Sequence, residues 1–226
     1  MDVRTKAGMR ERAVESPVLI TASGVELPGT LGLPDSPVGL VLFAHGTGSG
    51  HQSPRNRLVA SELRHAGIAT LLFDLLGERE AEDRANVFNI SLLAERVLAA
   101  ARWASGDPRT AGIPIGLFGA STGGAAALVA AAREPAIRAV VSRGGRPDLA
   151  GDSLSRVNAP SLLIVGGEDF HVLELNRSAL ALLRCTRELA VVPGATHVFE
   201  EPGTLEQVST LAARWFGRHL PVEARP

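Results

Sequence analysis

The chain has 226 residues, 45% of them hydrophobic and 21% charged, which is enough for one α/β domain with a sizeable core and short for two. A formal net charge of -1 and an aromatic content of 4% without tyrosine argue against nucleic acid and anionic membranes as partners, since both call for basic surfaces and the former often for stacking platforms. The lone Cys185 forms neither an internal disulfide nor a thiolate metal site, and the charged residues 1–12 and the lack of an apolar run of about 18 residues make a cytoplasmic protein without leader or span the expectation.

Read in order, the chain opens with a hairpin over 18–22 and 25–33, turning at Ser23-Gly24. Apolar runs suited to buried parallel strands follow at 39–44, 69–73, 114–118, 139–142 and 161–165, and a sixth at 188–192 completes the series. Helical patterns alternate with them at 55–65, 91–104, 122–132, 173–183 and 204–219, which is the signature of an α/β sheet. The second helix places Leu92, Leu93, Val97, Leu98 and Ala101 on one face, and the last opens on Thr204 and Gln207 as a capping box. Residues 144–160 hold room for a short helix near 149–157 but not for a lid domain, so an open site is expected. A single domain over 1–226 with flexible tails at 1–15 and 221–226 completes the picture.

The chemistry is carried by Gly119-Ala120-Ser121-Thr122-Gly123, where an apolar run stops and an alanine-rich helix begins. G-x-S-x-G between strand and helix reads as a nucleophile elbow, a strained turn that lifts the serine hydroxyl above the sheet's carboxyl edge. Serine needs a base to take its proton, and the base needs an acid to fix its tautomer. Asp169 follows the strand over 161–165, with Asp148 and Glu168 as competing carboxylates, and His197 follows the last strand, with His171 as its competitor. The order Ser121, Asp169, His197 is that of α/β-hydrolases. The oxyanion developing on a carbonyl oxygen asks for two backbone amides. Thr122 supplies one, and the loop His45-Gly46-Thr47-Gly48-Ser49-Gly50 supplies the other, with Thr47 preferred. That glycine-rich loop is not a phosphate loop, because no G-K-[ST] follows.

These motifs resemble an α/β-hydrolase, and more closely the small, lidless members related to dienelactone hydrolase, over 39–220. The resemblance implies an eight-stranded, mostly parallel sheet with helices on both faces, no large cap domain, and esterase or lactone-hydrolase activity without a cofactor or metal. One departure counts against a dienelactone substrate: dienelactone hydrolases proper carry a cysteine nucleophile, and this elbow carries Ser121. A carboxylic-ester hydrolase acting through an acyl-enzyme on a small ester, anionic esters included, is the expectation. An acyltransferase or thioesterase using the same triad, and a non-catalytic binding module on the same fold, are the rivals, and a homodimer is left open.

Four residues stand as candidates for substrate binding: His45, Arg143, Arg146 and His171. Arg143 and Arg146 follow a buried strand at the edge where α/β sheets place ligands, and their forked donors suit a carboxylate or phosphate. Pairing with Asp148, Asp152 or Glu168 to brace loops is the equal alternative. Asp74 reads as a loop brace and Cys185 as a structural thiol.

Overall fold

The computed structural model describes residues 14–221. Most of the two tails expected from the sequence lies outside the described residues, but Val14 and Glu15 already belong to the first strand. That strand, β1 (Val14–Ala22), pairs antiparallel with β2 (Val25–Leu33) along its whole length. Ser23 and Gly24 both take positive φ, at 52° and 79°, which gives the hairpin the turn that matches strand twist. β1 begins four residues before the expected 18, because it is an outer strand on which exposed polar residues and Pro17 are tolerated.

Six further strands complete one sheet: β3 (Leu40–Ala44), β4 (Ala69–Phe73), β5 (Ile115–Ala120), β6 (Ile137–Arg143), β7 (Ser161–Gly166) and β8 (Arg187–Val192). The spatial order is β1-β2-β4-β3-β5-β6-β7-β8, and every pair from β4 to β8 is parallel. The eight-stranded, mostly parallel sheet with helices on both faces is the α/β-hydrolase architecture, with no large cap. β3 to β7 are buried almost throughout, which is why they read as continuous apolar runs rather than alternating ones.

One face of the sheet packs against α4 (Ile90–Gly106) and α5 (Thr122–Arg133), the other against α1 (Pro54–His65) and α7 (Thr204–His219). The first core is built mainly from alanine, leucine and valine, so α5 lies close to the sheet with Thr122 to Ala131 all buried. The second gathers Phe43, Phe118, Phe199, Trp215 and Phe216, with the Phe43 and Phe118 rings 4.9 Å apart. The last helix lacks the expected capping box. Gly203 is its N-cap, and the Thr204 hydroxyl donates to the Glu201 carbonyl at 2.7 Å instead.

Two features depart from the sequence reading in ways that shape the site. Between β4 and α4 lie two short helices, α2 (Glu78–Ala81) and α3 (Arg84–Val87), each a single turn and too short to leave a periodic signal. After β7, α6 (Phe170–Leu182) starts directly on Asp169 rather than at 173. The turn after β6 leads into a 3-10 segment, Pro147–Arg156, kinked at Gly151 where φ is 51°. Among the described residues no helix is long and apolar enough to cross a membrane.

Candidate active site

β5 ends at Ala120 and α5 begins at Thr122, so Ser121 must reverse the chain alone. It does so at φ 52° and ψ -123°, a conformation that costs a non-glycine residue about 1–3 kcal/mol and persists only where the surroundings impose it. The surroundings here are backbone. A Cβ on Gly119 would stand 2.4 Å from the Gly123 carbonyl oxygen, and one on Gly123 would stand 2.1 Å from that of Ala44. Those glycines let β5, α5 and the end of β3 close on each other. Gly46 completes the packing, since a Cβ there would meet Ser121 Cβ at 2.8 Å. Ser121 is also held by its main chain, donating to the Arg143 carbonyl at 3.3 Å and accepting from the amides of Gly124 and Arg146 at 3.0 and 3.1 Å. Its hydroxyl makes no hydrogen bond among the described residues.

Asp169 and His197, expected as acid and base, lie together. His197 Nδ1 lies 2.6 Å from Asp169 Oδ2. A carboxylate can only accept, so Nδ1 carries the proton and Nε2 is left as the acceptor. The loops that carry the two residues are tied to each other through Glu168 N to Ala195 O at 3.0 Å and Gly167 N to Val192 O at 2.8 Å. Buried Phe199 anchors the histidine loop in the aromatic core. The His197 ring lies over the end of β6, where a Cβ on Gly144 would meet its Cε1 at 3.6 Å. Arg143, one residue earlier, is the main-chain partner of Ser121. The competing carboxylate Asp148 is engaged elsewhere, and His171 is exposed on the first turn of α6 without a hydrogen bond among the described residues.

On the other side of Ser121 the two expected oxyanion residues come together, with the Thr47 and Thr122 hydroxyls 3.5 Å apart. Neither amide donates to another group among the described residues, so both are available. His45 is used up in holding this loop. Its Nδ1 contacts the Gly46 carbonyl at 3.0 Å and its Nε2 accepts the Leu75 amide at 3.0 Å. Burial lowers its pKa below the ordinary value, the Gly46 hydrogen bond and Asp74 opposing, so the ring is a neutral Nδ1-H brace. Asp74 accepts the His51 amide at 2.7 Å and pairs with its ring at 3.0 Å, the bracing role its position suggests.

The two arginines at the end of β6 differ. Arg146 forms a fork with Asp148, at 2.9 and 2.7 Å, which raises the arginine's pKa. Arg143 is the last residue of β6 rather than a loop residue, is 8% exposed, and has no carboxylate partner among the described residues. Its pKa is pushed down to about 10, first by burial and then by the charge of Arg55. The turn between them is braced by a residue that motif reasoning misses: Asn176, fully buried on α6, donates to the Gly145 carbonyl at 3.0 Å. Its signal is a polar side chain on the buried face of an amphipathic helix.

A cleft of about 1120 Å³ opens from the oxyanion loop toward the β1–β2 hairpin and α2. Leu75, Leu76, Val87 and Leu93 contribute apolar surface, and Glu26 and Glu78 stand at its rim. Arg96, 4% exposed on α4, joins the walls by donating to the Ala22 carbonyl at 2.5 Å and pairing with Glu80 at 2.6 Å. On this side the β4–α4 crossover lines the cleft. Among the described residues no group of His, Cys, Asp and Glu is arranged to hold a metal ion.

Residues 27–217 match the profile of the dienelactone hydrolase family. The chain belongs to that family. Among solved structures, the dienelactone hydrolase from Anabaena variabilis superposes with a TM-score of 0.90 and is 49% identical, covering 93% of this chain and 100% of that one. Est1E from Butyrivibrio proteoclasticus shares the fold at a TM-score of 0.76 and 18% identity, over 89% of this chain and 98% of its own. A Mycobacterium tuberculosis protein named "Putative phosphoribosyl transferase" is 56% identical over 222 residues, which is 95% of this chain and 50% of that protein. The chain therefore spans half the length of the curated relatives it matches. In this chain the elbow residue is Ser121.

Proposed function

We propose that this chain is a serine hydrolase that cleaves a carboxylic ester or lactone of a small substrate through an acyl-enzyme on Ser121. The observation that carries the reading is the 2.6 Å hydrogen bond from His197 to Asp169 on the sheet edge that also bears the strained Ser121. Ser121 Oγ attacks the carbonyl carbon while His197 Nε2 takes the hydroxyl proton. The carbonyl oxygen gains negative charge and is stabilised by the amides of Thr47 and Thr122 at the head of α5, whose dipole has the favourable sign. Asp169 stabilises the imidazolium without accepting its proton. The intermediate collapses, the C–O bond to the alcohol breaks, and His197 gives that oxygen the proton. Water then repeats the sequence with His197 as base, releasing the acid and restoring Ser121. For a lactone, alcohol and acid leave as one molecule.

The cleft beside Thr122 is the natural place for the organic part of the substrate. The phosphoribosyl transferase name of the longer relative does not bear against this reading, since the matched half of that protein is the half that resembles a hydrolase, and we infer that the name refers to the other half.

The test is hydrolysis of p-nitrophenyl esters, acetate to decanoate, by the wild-type protein and Ser121→Ala in parallel, with fluorophosphonate labelling as a readout independent of substrate. Activity that falls by about 10³-fold or more, with labelling lost, is the expected result. Equal activity in both proteins would remove Ser121 from the mechanism.

A further inference from the structure

Arg143 is the one group near Ser121 whose burial the proposed reaction leaves unexplained. By strand alternation its side chain lies on the sheet face of α1 and α7. Val141, two residues earlier, belongs to that core, whereas Ser142 meets Gly124 of α5 on the opposite face. β6 ends at the carboxyl edge of the sheet, the edge that also bears Ser121. The charge of Arg55, on the first turn of α1, adds to burial in lowering the pKa of Arg143.

Among the described residues no anion balances Arg143. Arg143 Nε and Nη1 are buried without a hydrogen-bond partner, so Nη2 is left to reach solvent. An uncompensated buried cation is among the most expensive features a core can hold. Its neighbour Arg146, three residues on, shows the usual solution in its fork with Asp148. Fixed charges left without a partner are a feature of sites that receive one from a ligand.

We propose that Arg143 forms a subsite for an anionic group, a carboxylate or a phosphate, carried by the ester substrate. The inference rests on the serine-hydrolase reading for its placement. Adjacent strands lie about 4.8 Å apart and Ala120 is in register with Arg143, so the end of β6 stands beside the elbow that carries Ser121. The guanidinium would accept the anionic group through two parallel hydrogen bonds and set which end of the substrate faces the nucleophile.

The experiment compares matched aryl esters, one neutral, one ending in a carboxylate and one in a phosphate, on wild-type protein, Arg143→Met and Arg143→Lys. The ratio of kcat/KM for the anionic over the neutral ester is expected to fall by about 10- to 100-fold in Arg143→Met, the range of a charge-assisted hydrogen bond, and to be partly kept in Arg143→Lys. The preferred anion identifies the group. Thermal denaturation supplies the second readout: Arg143→Met is expected to raise Tm, because it replaces an unpaired buried charge by an apolar side chain of similar length. An unchanged ratio with a lower Tm would overturn the proposal and make Arg143 a structural brace. Should no ester be cleaved by the wild type, the hydrolase reading fails separately. The subsite is then decided by the Tm shift that succinate or inorganic phosphate produces in Ser121→Ala. A shift that disappears in the double variant with Arg143→Met supports the subsite, and one that persists, or no shift in either, overturns it.

Discussion

The two sides of Ser121 are built by different rules. Toward β6, β7 and β8 the chain turns in short loops fastened backbone to backbone, and the groups they carry, Asp169 and His197, are fixed by one 2.6 Å hydrogen bond. Toward the β1–β2 hairpin a longer crossover folds into two single-turn helices, held by side chains such as Arg96 and His45, and it encloses the cleft. Proton transfer depends on distances of a few tenths of an ångström, whereas substrate accommodation tolerates movement. Backbone ties suit the first and side-chain ties the second. The lesson is that rate and selectivity are separable here and should respond to different substitutions.

The sharpest way to test that separation is Asp169→Asn. The amide can donate to His197 Nδ1 and so favours the wrong tautomer, and kcat should fall by about 10³- to 10⁴-fold, with KM for p-nitrophenyl esters changed by far less. A large rise in KM with kcat intact would show that the acid side also shapes the cleft. Arg96→Met attacks the opposite side. Removing the charge leaves Glu80 and the Ala22 carbonyl without their donor, and since the Glu80 side chain is a quarter exposed the loss of stability should be about 2 kcal/mol, read by urea denaturation. KM for longer acyl chains should rise more than kcat falls. A variant as stable as the parent would detach Arg96 from the cleft wall.

The smallest expected effect concerns His45. Its folded pKa lies below the ordinary value of 6.5 because burial disfavours the charged form. Folding therefore favours the neutral ring, so its stabilising share is complete above pH 6.5 and is lost as the pH falls toward the folded pKa. Tm should decline below pH 6.5, and His45→Gln, which keeps a donor and an acceptor, should flatten that decline. Some slope should remain, since burial also lowers the pKa of His219. An unaltered slope would mean that the oxyanion loop does not depend on a neutral His45.

The elbow, the order of Ser121, Asp169 and His197, and the pairing of Thr47 with Thr122 are all legible in the amino-acid sequence, because each rests on local signals. A glycine-flanked serine between an apolar run and an alanine-rich helix has few other conformations open to it, and parallel strands with short connections carry their loops to one edge. The single turns of α2 and α3 are not legible there, since four residues show no period. Nor is the start of α6 on Asp169, because a helix boundary is set by which amide its neighbours leave free.

Sequence alone thus determined the alternation of strands and helices and the candidate nucleophile, which follow from periodicity, turn residues and spacing along the chain, while the eight-stranded sheet was implied by the resemblance of its motifs to a hydrolase family. Only tertiary structure decided that Arg146 is neutralised by Asp148 while Arg143 is buried alone, that His45 braces a loop as a neutral ring, and that Asn176 holds the turn between the two arginines. A side chain's charge and partner depend on residues from distant segments that share its dielectric and its hydrogen bonds, and no local pattern encodes that meeting.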